Sequence, residues 1–164
     1  MVPRPQTHRT PGGLGRHALA RRSSAVGEPP YDARKLEYVW RGPFDSDEVE
    51  RLHAACFGRE PSVWDWAGQV GKHSLGWVCA RDDGALVGWV NVAWDGAGHA
   101  FVLDTIVTET HRRRGIATQL VATATTGARE AGCEWLHVDF EDHLTVFYLE
   151  ACGFTPTRAG LIRL

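Results

Sequence analysis

The sequence predicts an α/β (α+β) fold: a mixed sheet with helices on both faces, built from residues 34–164. Three observations predict it. From Leu36 onward, short β-rich runs and helix-period runs follow one another in the order βααβββαβαβ. Asp82-Asp83-Gly84 divides two apolar runs of strand length, which is hairpin chemistry. A basic turn containing one glycine, Thr110-His111-Arg112-Arg113-Arg114-Gly115-Ile116-Ala117, joins a strand-like run to a helix-like run.

Each element has its own local reason. Leu36–Trp40 reads as a strand. Asp45-Ser-Asp-Glu48 has the spacing of a capping box, and Val49, Leu52, Ala55 and Cys56 then recur at helical period. Pro61–Val70, with Trp64 and Trp66, reads as a shorter helix. Leu75–Arg81 and Ala85–Trp94 form the hairpin. Asp95-Gly-Ala-Gly98 turns the chain into a strand over Ala100–Val107. Ile116, Leu120, Val121, Ala124 and Ala128 line one face of a helix that stops at Gly132. A strand over Trp135–Phe140, a helix over Leu144–Ala151 and a closing strand over Thr155–Leu164 complete the order.

The 164 residues suit one domain, with 43% hydrophobic and 23% charged residues. Residues 1–33 stand apart as a basic, Pro/Gly-rich extension expected to be disordered, because so little apolar content cannot offset the entropy of ordering. The net charge of −2 divides into +4 over Met1–Pro30 and −6 over the rest. A folded domain of that sign argues against nucleic acid as a partner. Cys56, Cys79, Cys133 and Cys152 have no metal or redox spacing and read as buried free thiols. The chain has no run long enough to span a membrane and no apolar core of a signal peptide, so a cytoplasmic location is expected.

The basic turn carries the chemistry. The first N–H groups of a helix have no intrahelical acceptor, and the helix dipole adds partial positive charge there. Gly115 lets a ligand approach the backbone, Ala117 leaves the next turn uncrowded, and a phosphate or pyrophosphate is the natural guest. The alternative is an ordinary turn with solvated arginines. Downstream stand Trp135-Leu-His-Val-Asp-Phe140 and Phe147-Tyr148-Leu149-Glu150-Ala151-Cys152-Gly153-Phe154. Arg112-x-x-Gly115-x-Ala117 after a strand, a second strand, and then Phe-Tyr-x-x-x-x-Gly-Phe together resemble the GCN5-related N-acetyltransferase (GNAT) superfamily. The resemblance extends over roughly Leu36–Leu164 and is sharpest from Leu103 to Phe154.

The resemblance implies a mostly antiparallel central sheet whose fourth and fifth strands splay apart, and an enzyme that moves acetyl from acetyl-CoA directly to an amine. Pantetheine would add to the strand edge at Ile106 and Val107. Backbone N–H groups from Arg112 through Arg113, Arg114, Gly115, Ile116 and Ala117 to Thr118 would cradle the pyrophosphate. Arg113 reads equally as surface charge. Tyr148 aligns with the family tyrosine that stands near the thioester sulfur as acid; the other reading is a packed core tyrosine. A backbone N–H near Ile106 would receive the oxyanion. The base is open between His137, Asp104 and a water relay. His99 reads as a loop histidine. Glu141 and Leu144 stand where many members have Asn and Ala, so the resemblance implies donor binding in outline but not the usual side-chain contact there. His137, Asp139, Glu141 and His143 would share a face only in a continuing strand, and the chain is expected to leave the strand near Phe140, so no metal is expected. The acceptor side is expected from residues 61–74 and the hairpin, where Trp64, Trp66, Trp89 and Trp94 are available. The expected partner is a small-molecule amine, with a protein amine next; a homodimer is left open. The rivals are a noncatalytic acyl-CoA-binding module and a dinucleotide-binding loop, the latter disfavoured because no Gly-x-Gly-x-x-Gly is present.

Overall fold

The computed structural model describes residues 36–164. The extension expected to be disordered lies outside the described residues. Five strands form one sheet in the order β1-β2-β3-β4-β5: β1 Leu36–Trp40, β2 Ser74–Asp82, β3 Ala85–Trp94, β4 His99–Val107 and β5 Trp135–His137. The first four pair antiparallel, and β5 runs parallel to β4. A parallel neighbour requires a crossover, and helix α3, Ile116–Glu130, supplies it.

The β2–β3 turn works through two backbones with positive φ, Asp83 at 49° and Gly84 at 83°. That conformation twists in the same sense as the flanking strands. Alternation along β2 then sends Val78 and Ala80 to one face and Cys79 to the other. Val78, Ala80, Val90, Val92 and Val102 pack against Ile116, Leu120, Ala124 and Ala128 of α3. On the opposite face Cys79, Trp89 and Ile106 meet Val49 and Leu52 of α1, Ser46–Phe57, and Trp66 and Val70 of α2, Trp66–His73. Helices therefore cover both faces, as the sequence predicts.

Several local expectations need correction. Asp45 does cap α1, and Glu48 closes the capping box. The buried stripe of α1, however, contains Ala54 and Glu50, and Ala55 is exposed. Helix α2 begins at Trp66, not Pro61, because the Asp65 carboxylate accepts the Gly68 N–H at 2.8 Å and caps it there. Strand β5 stops at His137, three residues short of Phe140. Residues 144–151 are not an α-helix: a 3₁₀ turn over Asp142–Leu144 leads into a single π-helical turn, Val146–Ala151. Residues 155–164 form no strand, and Leu161, Ile162 and Leu164 stay exposed. Pro156 offers no N–H to a ladder there. All four cysteines are free, but only Cys79 is buried.

Candidate active site

The site is organised by a bulge in β4. Trp89 opposes Ile106 and Asn91 opposes Leu103, so two steps along β3 face three along β4. The extra residue bends the strand and re-aims its side chains. Asp104 takes up the strain with φ of 53°; its short polar side chain makes this one of the few non-glycine types that tolerate the left-handed region.

From the bulge a chain of polar contacts runs to the core. The Asp104 Oδ1 lies 3.3 Å from His53 Nε2 on α1, with the two side chains 25% and 17% exposed. His53 Nδ1 lies 2.8 Å from an Arg59 guanidinium nitrogen. Arg59 donates to both oxygens of Glu50, at 2.6 and 3.0 Å. Glu50 is only 2% exposed. It also accepts from the Ser62 N–H at 2.7 Å, the Ser62 hydroxyl at 2.8 Å and the Trp66 indole at 3.0 Å. The Arg59 guanidinium, then the Ser62 N–H, hold its carboxyl well below the usual range against the opposing effect of burial.

Thr105, the next residue along the bulge, neighbours the hydroxyl of Tyr148. Burial raises the Tyr148 pKa, and the Thr105 hydroxyl opposes the rise. Thr105 Oγ1 is buried and makes no well-formed hydrogen bond among the described residues. Tyr148 is 6% exposed, stacked on Phe140 at 4.9 Å and edge-on to Phe147 and Phe154. It sits within the π-helical turn. That turn is bounded by a Cys152 N–H bonded to the Phe147 carbonyl, five residues back, and by Gly153 with φ of 77°.

Beyond the Phe101↔His137 pair, β4 and β5 part, so β4 has an open edge from Val102 onward. Thr108 N–H donates to the Val87 carbonyl at 2.9 Å. Antiparallel alternation then points Ile106 at β3 as well, and turns the Val107 backbone to the open edge. The Val107 carbonyl is already engaged, by Arg112 Nε at 3.2 Å and Cys56 Sγ at 3.4 Å. Near Ile106, then, the Ile106 amide is committed to the sheet and the Val107 N–H faces the open edge.

The basic turn is anchored by His111, whose Nε2 lies 3.1 Å from Asp82 Oδ2 and whose Nδ1 lies 3.0 Å from the Thr108 hydroxyl. Arg113 and Gly115 have φ of 60° and 78°, and α3 starts with no side-chain cap. Its first intrahelical bond runs from Gln119 N to Gly115 O, which leaves the Ile116, Ala117 and Thr118 amides without helical acceptors. Arg112 does not reach outward, since its guanidinium folds back on Val107. His137 lies apart from the bulge chain. Its Nε2 is 2.7 Å from His99 Nδ1, and its ring stacks on Phe101 at 4.8 Å. Of the four tryptophans expected on the acceptor side, Trp66 and Trp89 are core, whereas Trp64 and Trp94 are exposed.

Sequence reasoning did not single out His53, Arg59, Glu50 or Thr105. One signal was available for His53: it stands four residues after Val49 and three before Cys56, so a titratable group occupies an apolar-stripe position of α1.

The model of the acetyltransferase (GNAT) family matches residues 39–154. The chain belongs to the GNAT acetyltransferase family. It is an N-acetyltransferase, and its acyl donor is acetyl-CoA. Solved structures of similar fold include a GNAT-family acetyltransferase from Streptococcus pneumoniae, at 23% identity and TM-score 0.64, over 79% of this chain and 97% of that one. Another is glucosamine-6-phosphate N-acetyltransferase from Arabidopsis thaliana, at 15% identity and TM-score 0.62, over 78% and 98%. A third, an aminoglycoside N-acetyltransferase in complex with CoA, has 18% identity and TM-score 0.57, over 79% and 93%. Among curated proteins no sequence matches. No helix among the described residues is long and apolar enough to cross a membrane.

The residues present fit the donor. The open β4 edge, the buried and unpartnered Thr105 hydroxyl beside Tyr148, and the uncapped amides of a GNAT domain's α3 form one continuous run along β4 and its following turn.

Proposed function

We propose that this GNAT enzyme acetylates the amine of a small molecule, with Asp104 accepting a proton from the amine and Tyr148 donating one. The observation that carries this reading is the β4 bulge. Asp104 and Thr105 are adjacent there, so the carboxylate that pairs with His53 and the residue that neighbours the buried Tyr148 hydroxyl belong to one bend of one strand.

Acetyl-CoA supplies an acetyl group activated as a thioester. The uncapped Ile116, Ala117 and Thr118 amides and the turn through Arg113 to Gly115 would hold its pyrophosphate. The Val107 N–H, on the open edge, is the donor available where negative charge develops. Tyr148 keeps its proton at neutral pH because burial disfavours the phenolate. Asp104 is preferred to His137 as base because the His137 Nε2 is already engaged by His99.

Exposed Phe57, Phe101 and Leu103 stand on the α1-facing side of β4 with Asp104 and can receive the body of an acceptor. Relatives of the fold are named for glucosamine 6-phosphate and for aminoglycosides, both small amines, which supports a small acceptor. The test is CoA release from acetyl-CoA across a panel of small amines and peptides, with the wild type and Asp104→Asn. Turnover on a small amine, reduced about 10²- to 10⁴-fold by the substitution, supports the reading. Turnover on peptides alone overturns the small acceptor, and full activity of Asp104→Asn overturns the base.

A further inference from the structure

We propose that His53 is a positioning residue for Asp104, held in a single tautomer by Arg59 and Glu50. The inference rests on the reading of Asp104 as base and adds what makes that carboxylate serviceable.

The tautomer follows from donor and acceptor inventory. Arg59 has only donors, so the His53 Nδ1 that it approaches at 2.8 Å must be the bare, accepting nitrogen. The proton of the neutral imidazole is then on Nε2, and Nε2 is the atom 3.3 Å from Asp104 Oδ1. His53 therefore donates to the carboxylate. Arg59 cannot swing away freely, because both its terminal nitrogens are bound by Glu50, and Glu50 is in turn held by Ser62 and the Trp66 indole. The imidazole ring also contacts Phe57 and Trp66 in tilted arrangements, with centroids at 4.5 and 5.0 Å.

The consequence is geometric. Asp104 sits on a strained, bulged backbone with φ of 53°, where the chain alone does not settle its side chain. A donor on Oδ1 fixes one oxygen and leaves Oδ2 to meet an acceptor amine. This occupies His53 as a donor, so it does not serve as a second base. The charged and titratable groups around it are Asp104 from β4, Arg59 from the loop after α1 and Glu50 from α1.

Two measurements test the proposal, one of them independent of turnover. Nitrogen-15 NMR of the full-length protein without substrates reads the histidine tautomer directly. An Nε2–H tautomer for His53, lost or mixed in Arg59→Leu, is expected; an Nδ1–H tautomer in the wild type overturns the proposal. Steady-state kinetics then compare His53→Leu with His53→Gln, whose amide can still donate to Asp104. His53→Leu should lower kcat by up to about 10²-fold with the KM for acetyl-CoA unchanged, His53→Gln should recover most of it, and His53→Leu should add no loss to Asp104→Asn. Equal turnover in the two His53 variants, or a full additional loss in the double variant, overturns positioning. Failure of the parent reading looks different: Asp104→Asn is then fully active whatever the tautomer.

Discussion

The indole of Trp40 at the end of β1 lies directly against Gly127 of α3: a Cβ on that glycine would stand 2.5 Å from Trp40 Cε2. A Cβ on Gly76 of β2 would strike the same indole. Two glycines thus pack against one half-buried ring. In an open helix position Gly→Ala gains up to about 1 kcal/mol of helix propensity. Here overpacking costs about 1–3 kcal/mol and reverses the sign. Gly127→Ala should lower Tm in a thermal melt; a raised Tm would show that the indole can leave.

Gly115→Val should separate donor binding from folding. Gly115 has φ of 78° with open space around it, so the cost is conformational and not a clash. About 1–2 kcal/mol of stability is at stake for a non-glycine residue in that region. The rise in Tm that acetyl-CoA produces in the wild type should disappear, since mass-action stabilisation requires the bound state. An unchanged rise at millimolar acetyl-CoA would remove the α3 turn from the binding site.

Tyr148→Phe retains the stacked ring and deletes the hydroxyl that faces Thr105. Turnover should fall about 10²- to 10⁴-fold with little change in the KM for acetyl-CoA. Because burial raises the Tyr148 pKa above its ordinary value, the phenol holds its proton throughout the neutral range. The loss of activity from its ionisation should therefore come only above about pH 10. A structural tyrosine would instead show a lowered Tm with near-normal turnover per folded molecule.

Glu50 links acid stability to the same network. Its folded-state pKa is depressed by Arg59 and Ser62, so its contribution is present above the unfolded value of about 4.3 and is lost as pH falls through the folded value. Tm measured from pH 6 to pH 3 should fall more steeply in the wild type than in Glu50→Gln. At pH 7 the substitution should cost about 1–3 kcal/mol, because Arg59 and the Trp66 indole lose charge-assisted bonds. Parallel curves for the two proteins would place acid sensitivity elsewhere.

The Cys79 thiol in β2 offers a further check. Burial pushes the Cys79 pKa up to about 11. In the native protein at pH 8, Cys79 should be the slowest of the four thiols to react with iodoacetamide by peptide mapping, because the thiolate is the reactive form. Rapid labelling of Cys79 would show that β2 opens.

By itself the sequence determined what short-range chemistry can determine. Asp83-Gly84 permits the tight turn between β2 and β3, Asp45 and Glu48 begin α1, and the apolar period from Ile116 to Ala128 selects the face of α3. These depend on residues within one or two turns of each other, and the family motifs lie in the same range. The tertiary structure decided the rest. His53 and Asp104 are 51 residues apart in the chain, so their pairing exists only once α1 lies across the sheet. The bulge that gives Asp104 its positive φ is a mismatch between β3 and β4, a property of two strands together. The π-helical turn under Tyr148 and the early end of β5 likewise follow from how the chain must leave the sheet after His137. Periodicity names the faces of an element, but only packing against a partner says which side chains meet.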